Sequence, residues 1–236
     1  MQSPLVILTF IATLAGIYYF TTNTKPLVGV PDYEMYVFAI QWVKSYCTIN
    51  SRSTRTQKLA NIPKNQMSIH GLWPSLKSGS SMSSCNSGTQ VSIKDDGSDI
   101  FYDMKEYWPS LTGGDETFWN HEYNKHGYCY SNKIGDFDYK KYFQKSFDVF
   151  YKKGIPTMIT DVFGQHSGEY SISLSEFKSK MAAKLGGNYM TPVCKYKNSK
   201  HYLQEIRFTM DLNFNYIEHS LGQTCSSSKP IYIPYQ

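Results

Sequence analysis

Hydrophobic and polar positions follow two different spacings along this chain. β-Branched and aromatic residues fill Met35–Val43, and a second short apolar run, MSIHGLW at 67–73, stops at Pro74, so both segments are predicted as strands. Every second residue is apolar between Ile206 and Tyr216. That alternation is the spacing of a strand and allows a hairpin.

Three further segments carry helical patterns. The segment 115–127 opens with two carboxylates and has Gly127 near its predicted end. Apolar residues at 139, 143, 147 and 150 form a helical stripe, with lysines and a glycine after it as stop signals. Ser173 begins a capping box, and the helix that follows is predicted to close on Gly186.

Polar segments separate these elements. Residues 48–66 and the Ser/Gly-rich stretch 75–88 are predicted as loops. Strands and helices do not alternate regularly, and no repeat or internal linker divides the chain. The pattern therefore favours one α+β domain over a doubly wound sheet.

Composition and the first residues narrow the class of protein. With 236 residues, 41% of them hydrophobic, the chain can form a sizeable core. The apolar run Leu5–Phe20 is short for a membrane span of about 20 residues and suits a signal peptide, with a signal anchor as the alternative. We expect residues 1–25 to be removed and residues 26–236 to form the domain. The net charge of +5 suits an anionic partner without identifying one.

A dense group of ionisable residues lies in FWNHEYNKHGYC, residues 118–129. At about 100° per residue on a helix, His121, Glu122, Lys125 and His126 share one face. A zinc site is disfavoured because the histidines are five apart and a lysine stands between them, unlike the aligned pair of a metalloprotease helix. A solvated charged face and acid–base chemistry on an anion both remain open at this point.

A second stretch, SIHGLWPS, places His70 ahead of Gly71, Trp73 and Pro74. Together the two stretches resemble the two active-site signatures of the ribonuclease T2 family. The resemblance extends from about Tyr36 to the C-terminus and includes FAIQW, the Trp-Pro at Trp108 and EIRFTMD. It implies a single α+β domain with a central antiparallel sheet and flanking helices.

The resemblance also implies a reaction. Enzymes of this family cleave single-stranded RNA without a metal or other cofactor, by transphosphorylation through a 2',3'-cyclic phosphate. Carried over to this sequence, His126 is the general base and His70 the general acid. Glu122 and Lys125 stabilise the charged phosphorane, and His121 helps to hold the phosphate. A bell-shaped pH dependence follows, because one histidine must be neutral and the other charged.

Substrate-binding roles are implied for three further residues. Trp73 would stack on the base 5' of the cut and Phe118 on the base 3' of it, although core packing is an equal alternative for each ring. Gln41 would add a hydrogen bond. Ser75 stands where some relatives carry an aspartate that reads the base, so base preference stays open.

Five cysteines are an odd number, so at least one has no partner within the chain. Composition does not assign the pairs, but the resemblance implies Cys85–Cys129 and Cys194–Cys225. Cys47 is left over. A further family pair is absent here, with Thr209 and His219 in its places.

The sequence thus predicts an endoribonuclease that reaches an extracellular or vacuolar compartment through the secretory pathway. RNA is its expected partner, with no metal and no stable membrane association after removal of the leader. A self-incompatibility role is an alternative biological use of the same activity. The alternative of another class is a catalytically inactive RNA-binding or storage protein.

Overall fold

The computed structural model describes residues 32–50, 67–82, 85, 90–164, 166 and 168–235. All of them belong to one compact unit, Pro31–Gln236. The predicted leader, most of the loop predicted at 48–66 and part of the loop predicted at 75–88 lie outside these residues. No helix in the described ranges is both long enough and apolar enough to span a bilayer.

A mixed β-sheet forms the centre of the described chain. Its neighbouring strands run in the order β2-β1-β5-β6-β3, and β4 also pairs with β5. The pairings are antiparallel, except that β5 and β6 run parallel over two residues. The strands are β1 Met35–Trp42, β2 Met67–Ser75, β3 Glu169–Ile172, β4 Met190–Lys197, β5 Lys200–Met210 and β6 Ile231–Pro234.

Helices occupy much of the rest and confirm the predicted α+β class. They are α1 Val43–Ile49, α2 Asp99–Tyr107, α3 Asp115–Glu122, α4 Tyr128–Ile134, α5 Tyr139–Lys152, α6 Ile155–Phe163 and α7 Leu174–Leu185. A single π-helical turn, Tyr123–Gly127, joins α3 to α4. The α7 boundaries follow the predicted signals, because Ser173 Oγ accepts the backbone N–H of Glu176 and Gly186 adopts φ +77°.

The predicted stripe of α5 is confirmed as core at three of its four positions, and Tyr139 at its start is only partly buried. Phe143, Phe147 and Phe150 are fully buried on it. The Phe150 ring lies 6.4 Å from Phe38 of β1, and Phe143 lies 5.1 Å from Trp108. Burying each ring contributes about 1.5–3 kcal/mol, so this face fixes α5 against the sheet and places the segment after α2 beside it.

Three strand boundaries differ from the prediction. β1 ends at Trp42 and not at Val43, because Val43 already begins α1. β2 continues past Pro74 to Ser75, which an outer strand of the sheet permits because proline has no N–H to donate. β5 begins at Lys200 and ends at Met210, and a tight turn follows in which Asp211 accepts two backbone N–H groups. Tyr216 then bridges back to Met210, so only the first half of the alternating run is a regular strand.

Both predicted disulfides are present, Cys85–Cys129 and Cys194–Cys225. The half-buried Cys47 lies outside both of them. Thr209 is buried where the absent family pair would begin, and its hydroxyl donates to Ile217 O at 2.7 Å. A hydrogen bond therefore occupies the place of that cysteine.

Candidate active site

The backbone of His70 is held in β2 by two buried indoles. Trp108 Nε1 donates to the carbonyl oxygen of His70 at 2.9 Å, and Trp119 Nε1 donates to the carbonyl oxygen of Trp108 at 2.8 Å. Trp119 belongs to α3, the helix of the second signature. These two hydrogen bonds link the segments that carry the predicted catalytic residues.

The imidazole of His70 lies between two carboxylates. Its Nδ1 is 2.6 Å from Glu205 Oε1, and its Nε2 is 3.9 Å from Glu122 Oε1. Its side chain is 25% exposed. Burial lowers the pKa of His70, but the hydrogen bond with Glu205 and the charges of Glu122 and Glu205 outweigh burial, and the pKa rises above its ordinary value.

Glu205 was not among the residues predicted from the sequence. It lies on β5, is 4% exposed, and is held by Arg207, whose Nε and Nη2 lie 2.9 and 2.8 Å from Oε2. Burial opposes its ionisation, yet contacts with His70 and Arg207 lower the pKa of Glu205 to about 2. The alternation of β5 could have indicated that residues 205 and 207 share a face of the sheet. Because Ile206 and Phe208 face the core, residues 205 and 207 face the opposite side.

Glu122 is a buried carboxylate that meets the other signature directly. Its Oε2 accepts the indole N–H of Trp73 at 3.0 Å. Burial raises its pKa, against the opposing effects of His70 and Trp73. Gly71 makes this contact sterically feasible, because a Cβ there would collide with both Glu122 Oε2 and Trp73 Nε1.

The π-helical turn corrects the prediction of a regular α-helix through 118–126. α-Helical geometry ends at Glu122, and i→i+5 hydrogen bonding widens the turn that carries Lys125 and His126. The angular positions assumed for those two residues at about 100° per residue are therefore wrong. π-Helical turns of this kind are frequent at functional sites.

Gly127 was also predicted to lie near the end of the helix, which is wrong. Helical structure runs on through α4 to Ile134. A Cβ at Gly127 would lie 2.6 Å from Tyr123 Cδ2 and 2.8 Å from Tyr142 Cδ1. Glycine is needed here for close packing of two aromatic rings and not to terminate the helix.

His126 is 2% exposed, and its Nδ1 donates to the carbonyl oxygen of Met82 at 3.1 Å. Since a carbonyl oxygen only accepts, Nδ1 carries the proton and Nε2 holds the basic lone pair. Burial, followed by the charge of Lys125, lowers the pKa of His126 to about 3. His126 is therefore neutral over the range in which His70 tends to be charged.

Trp73 brings the two histidines together. Its ring lies 4.9 Å from that of His70 and 5.5 Å from that of His126. A cavity of about 120 Å³ is lined by Trp73, Ser75, Arg207 and five further residues, none of which is a histidine. The imidazoles thus contact one indole beside a cavity.

The remaining predicted residues are placed as follows. The ring of Phe118 is half-buried 5.9 Å from that of His70. Gln41 is buried, and its Nε2 donates to Glu205 Oε1 at 3.4 Å. This amide therefore hydrogen-bonds to another residue of the protein. His121 and Lys125 are exposed. Partial burial, with the charge of Lys125, lowers the pKa of His121.

Metal-ligating side chains do not cluster here. Across the described ranges, no three His, Cys, Asp or Glu residues are grouped so that they could hold a metal ion. The Nδ1 atom of His70 contacts the carboxylate of Glu205, and the Nδ1 atom of His126 contacts the carbonyl oxygen of Met82.

Comparison with known proteins gives the family. The family model described as "Ribonuclease T2 family" matches residues 33–225. The chain belongs to the ribonuclease T2 family. The resemblance predicted from the two signatures is confirmed, and the ribonuclease T2 match includes both.

Named relatives and solved structures agree with this assignment. "Ribonuclease 1" of Arabidopsis thaliana is 30% identical over 158 residues, 66% of each chain. "Extracellular ribonuclease LE" of Solanum lycopersicum is 31% identical over 52% of this chain and 53% of its own length. The alignments thus span about half to two thirds of these ribonuclease T2 relatives.

Solved structures share the fold over a longer stretch. Ribonuclease MC1 from bitter gourd seeds has a TM-score of 0.66 and 22% identity, covering 82% of this chain and 97% of its own. The S3-ribonuclease of Japanese pear has a TM-score of 0.66 and 20% identity, covering 86% and 100%. At these identities the likeness concerns the ribonuclease T2 fold.

Proposed function

We propose that this protein is an endoribonuclease that cleaves single-stranded RNA by transphosphorylation through a 2',3'-cyclic phosphate. One observation carries the proposal: the rings of His70 and His126 contact the same indole, and their pKa values are displaced in opposite directions. A general base must be neutral and a general acid charged at the same pH.

The proton transfers follow from the nitrogen atoms available. His126 Nε2 takes the proton of the ribose 2'-OH, and the 2'-oxygen attacks the adjacent phosphorus. The bond from phosphorus to the 5'-oxygen breaks, and His70 gives that oxygen its Nε2 proton. The products are a 2',3'-cyclic phosphate and a free 5'-OH. Slow hydrolysis of the cyclic phosphate to a 3'-phosphate would then use the histidines in exchanged roles.

Charge on the phosphorane needs donors nearby. Glu122 lies 3.9 Å from His70 Nε2 and favours the charged form of that imidazole, so it would stabilise the phosphorane by keeping a positive charge beside it. Lys125 supplies a positive charge from the exposed side of the same turn. His121 is exposed beside it and would hold the phosphate, becoming charged as the dianion approaches.

Bases would lie against the aromatic surfaces of the site. The cavity beside Trp73 suits the base 5' of the cut, and Phe118 suits the base 3' of it. Stacking contributes about 1–3 kcal/mol per base. Among the T2 relatives, a variant of ribonuclease MC1 is in complex with 5'-GMP and ribonuclease NT with 5'-AMP, which supports RNA as the substrate class here.

We further propose a secretory route to an extracellular or vacuolar compartment. The leader pattern and two disulfides support it, because disulfides persist in oxidising compartments. Named relatives include an extracellular and an intracellular ribonuclease of Solanum lycopersicum. The self-incompatibility role stays a prediction, since the likeness to such ribonucleases is one of fold.

A chimeric DNA oligonucleotide with one ribose tests the mechanism. Cleavage is expected only 3' of that ribose, leaving a cyclic phosphate, and should continue in EDTA. A 2'-O-methyl residue at that position should abolish it. His70→Ala and His126→Ala should each lose about 10²–10⁴ in rate, while His166→Ala, beside Tyr170 of the outer strand β3, should keep it.

Two outcomes count against the proposal. Oligonucleotide binding without cleavage by the unaltered protein favours the inactive RNA-binding or storage alternative. Cleavage that survives either His70→Ala or His126→Ala contradicts the two-histidine mechanism. The pH profile of kcat/KM is a separate check, because its acid limb should fall far below pH 6.5, the ordinary pKa of histidine.

A further inference from the structure

Glu205 lies outside both signatures, yet its carboxylate makes a short contact with a catalytic candidate. It is 135 residues from His70 in sequence, and the Glu205 Oε1 to His70 Nδ1 distance is 2.6 Å. A hydrogen bond between a charged donor and a carboxylate at this separation is of the strong kind.

The carboxylate is itself fixed by its neighbours. Arg207 contacts Oε2 through both Nε and Nη2, and Gln41 donates to Oε1 at 3.4 Å. Gln41 lies directly opposite Glu205 in the β1–β5 register. The guanidinium of Arg207 also lies 5.3 Å from the centre of the Trp73 ring. Groups on β1, β2 and β5 therefore orient Glu205.

This arrangement decides which nitrogen of His70 can transfer a proton. Because Nδ1–H donates to the carboxylate, Nε2 is the nitrogen left to face the cleft, where Glu122 lies 3.9 Å away. We infer that Glu205 is a positioning residue, which orients His70 and stabilises its charged form as general acid, and that Arg207 holds Glu205 in place. The catalytic part of this inference rests on the proposed function.

The charges around His70 predict that replacing Glu205 and replacing Arg207 shift the pKa of His70 in opposite directions. Glu205 and Glu122 favour its charged form, and Arg207 disfavours it; His121 and His126 are further imidazoles within electrostatic reach. Glu205→Gln keeps the shape, removes an anion and leaves Arg207 unpaired, so both changes lower the pKa of His70. Arg207→Gln removes a cation and should raise it.

The experiment follows His70 by NMR and the reaction by its pH profile. In Glu205→Gln, the His70 titration and the alkaline limb of kcat/KM should both move to lower pH. At pH values above the alkaline limb, kcat/KM of Glu205→Gln should be about 10- to 100-fold lower than that of the unaltered protein. This is the usual size of the effect for a hydrogen bond to a charged group. In Arg207→Gln the titration should move to higher pH. Glu106→Gln, an exposed glutamate on α2, should change neither.

Glu205→Asp separates orientation from charge. It keeps the anion but shortens the side chain by one carbon, so the rate should fall with less movement of the His70 titration than in Glu205→Gln. Circular dichroism checks that each variant is folded. If Glu205→Gln does not fold, the upward shift in Arg207→Gln, whose side chain is 31% exposed, remains a test.

The outcomes separate this inference from the proposed function. The NMR titration needs no RNA, so an unchanged His70 titration in folded Glu205→Gln overturns the inference even if the protein is a ribonuclease. Shifted titrations in a protein that never cleaves RNA support the His70–Glu205 coupling and count against the proposed function. A shifted titration with an unchanged alkaline limb overturns the catalytic part.

Discussion

Gly71→Ala is predicted to damage both the fold and the site, although it adds one methyl group to a strand. Gly71 has no unusual backbone angle, so alanine is tolerated conformationally. The cost comes from space, because the new Cβ would collide with Trp73 Nε1 and Glu122 Oε2. Those two atoms are joined by a 3.0 Å hydrogen bond between buried side chains.

The expected magnitude follows from the two consequences. Separating the indole from the carboxylate loses a hydrogen bond to a charged group, about 1.5–3 kcal/mol. Forcing an additional carbon into a packed region costs about 1–3 kcal/mol. The free energy of unfolding should therefore fall by about 2.5–6 kcal/mol, and cleavage should fall as Glu122 and Trp73 are displaced.

Guanidinium unfolding, followed by tryptophan fluorescence and circular dichroism, measures this change. Gly113→Ala is the matched control, since a Cβ at Gly113 meets nothing within 4 Å, and it should change stability by under about 0.5 kcal/mol. The effect of Gly71→Ala should shrink in a Trp73→Phe background, which lacks the indole nitrogen. If Gly71→Ala unfolds within about 0.5 kcal/mol of the unaltered protein at an unchanged m-value, the steric reasoning is refuted.

Three further predictions concern parts of the fold around the site. Replacing Cys85 and Cys129, or Cys194 and Cys225, with serine should lower the free energy of unfolding by at most about 4 kcal/mol per pair, given sequence separations of 44 and 31. Only the first change should also slow RNA cleavage by the folded protein, because Cys129 lies three residues after His126. Equal losses of activity in the two variants would contradict this reasoning. Ser173→Ala should cost about 1 kcal/mol through loss of its cap to the N–H of Glu176, measured by thermal melting against Ser179→Ala, an exposed serine within α7. His126 has a folded pKa of about 3, below its ordinary 6.5, so its contribution to stability is present above about pH 6.5 and is lost as pH falls towards about 3. Urea unfolding across that pH range should show a smaller fall in the free energy of unfolding for His126→Asn than for the unaltered protein. If the free energy of unfolding depends on pH equally in both proteins, a buried neutral His126 is contradicted.

Local sequence signals predicted the parts of the fold that depend on near neighbours. The cap at Ser173, the αL glycine at Gly186 and the buried stripe of α5 each involve contacts within a few residues. The signatures also placed His70, Trp73, Glu122 and His126 together, because a resemblance carries spatial information that periodicity lacks.

Contacts between distant segments were missed for a physical reason. Glu205 reaches His70 across 135 residues, and Met82 reaches His126 across 44. The carboxylate of Glu205 reads as an ordinary polar position in an alternating strand until the strand order is known. The π-helical turn was missed because a helical projection of 118–126 assumes about 100° per residue throughout, whereas the turn Tyr123–Gly127 departs from that geometry.

The attachment of His126 to Met82 would make the proposed reaction depend on the redox state of its surroundings. The carbonyl oxygen that accepts from His126 Nδ1, and so leaves Nε2 as the basic nitrogen, belongs to Met82, three residues before Cys85. Cys85 is covalently joined to Cys129, three residues after His126. Under reducing conditions we expect the Cys85–Cys129 disulfide to be broken, which leaves only the hydrogen bond to Met82 to orient His126. An RNA-degrading protein built in this way would gain its full activity only after oxidative maturation, away from the transcripts of the cell that makes it.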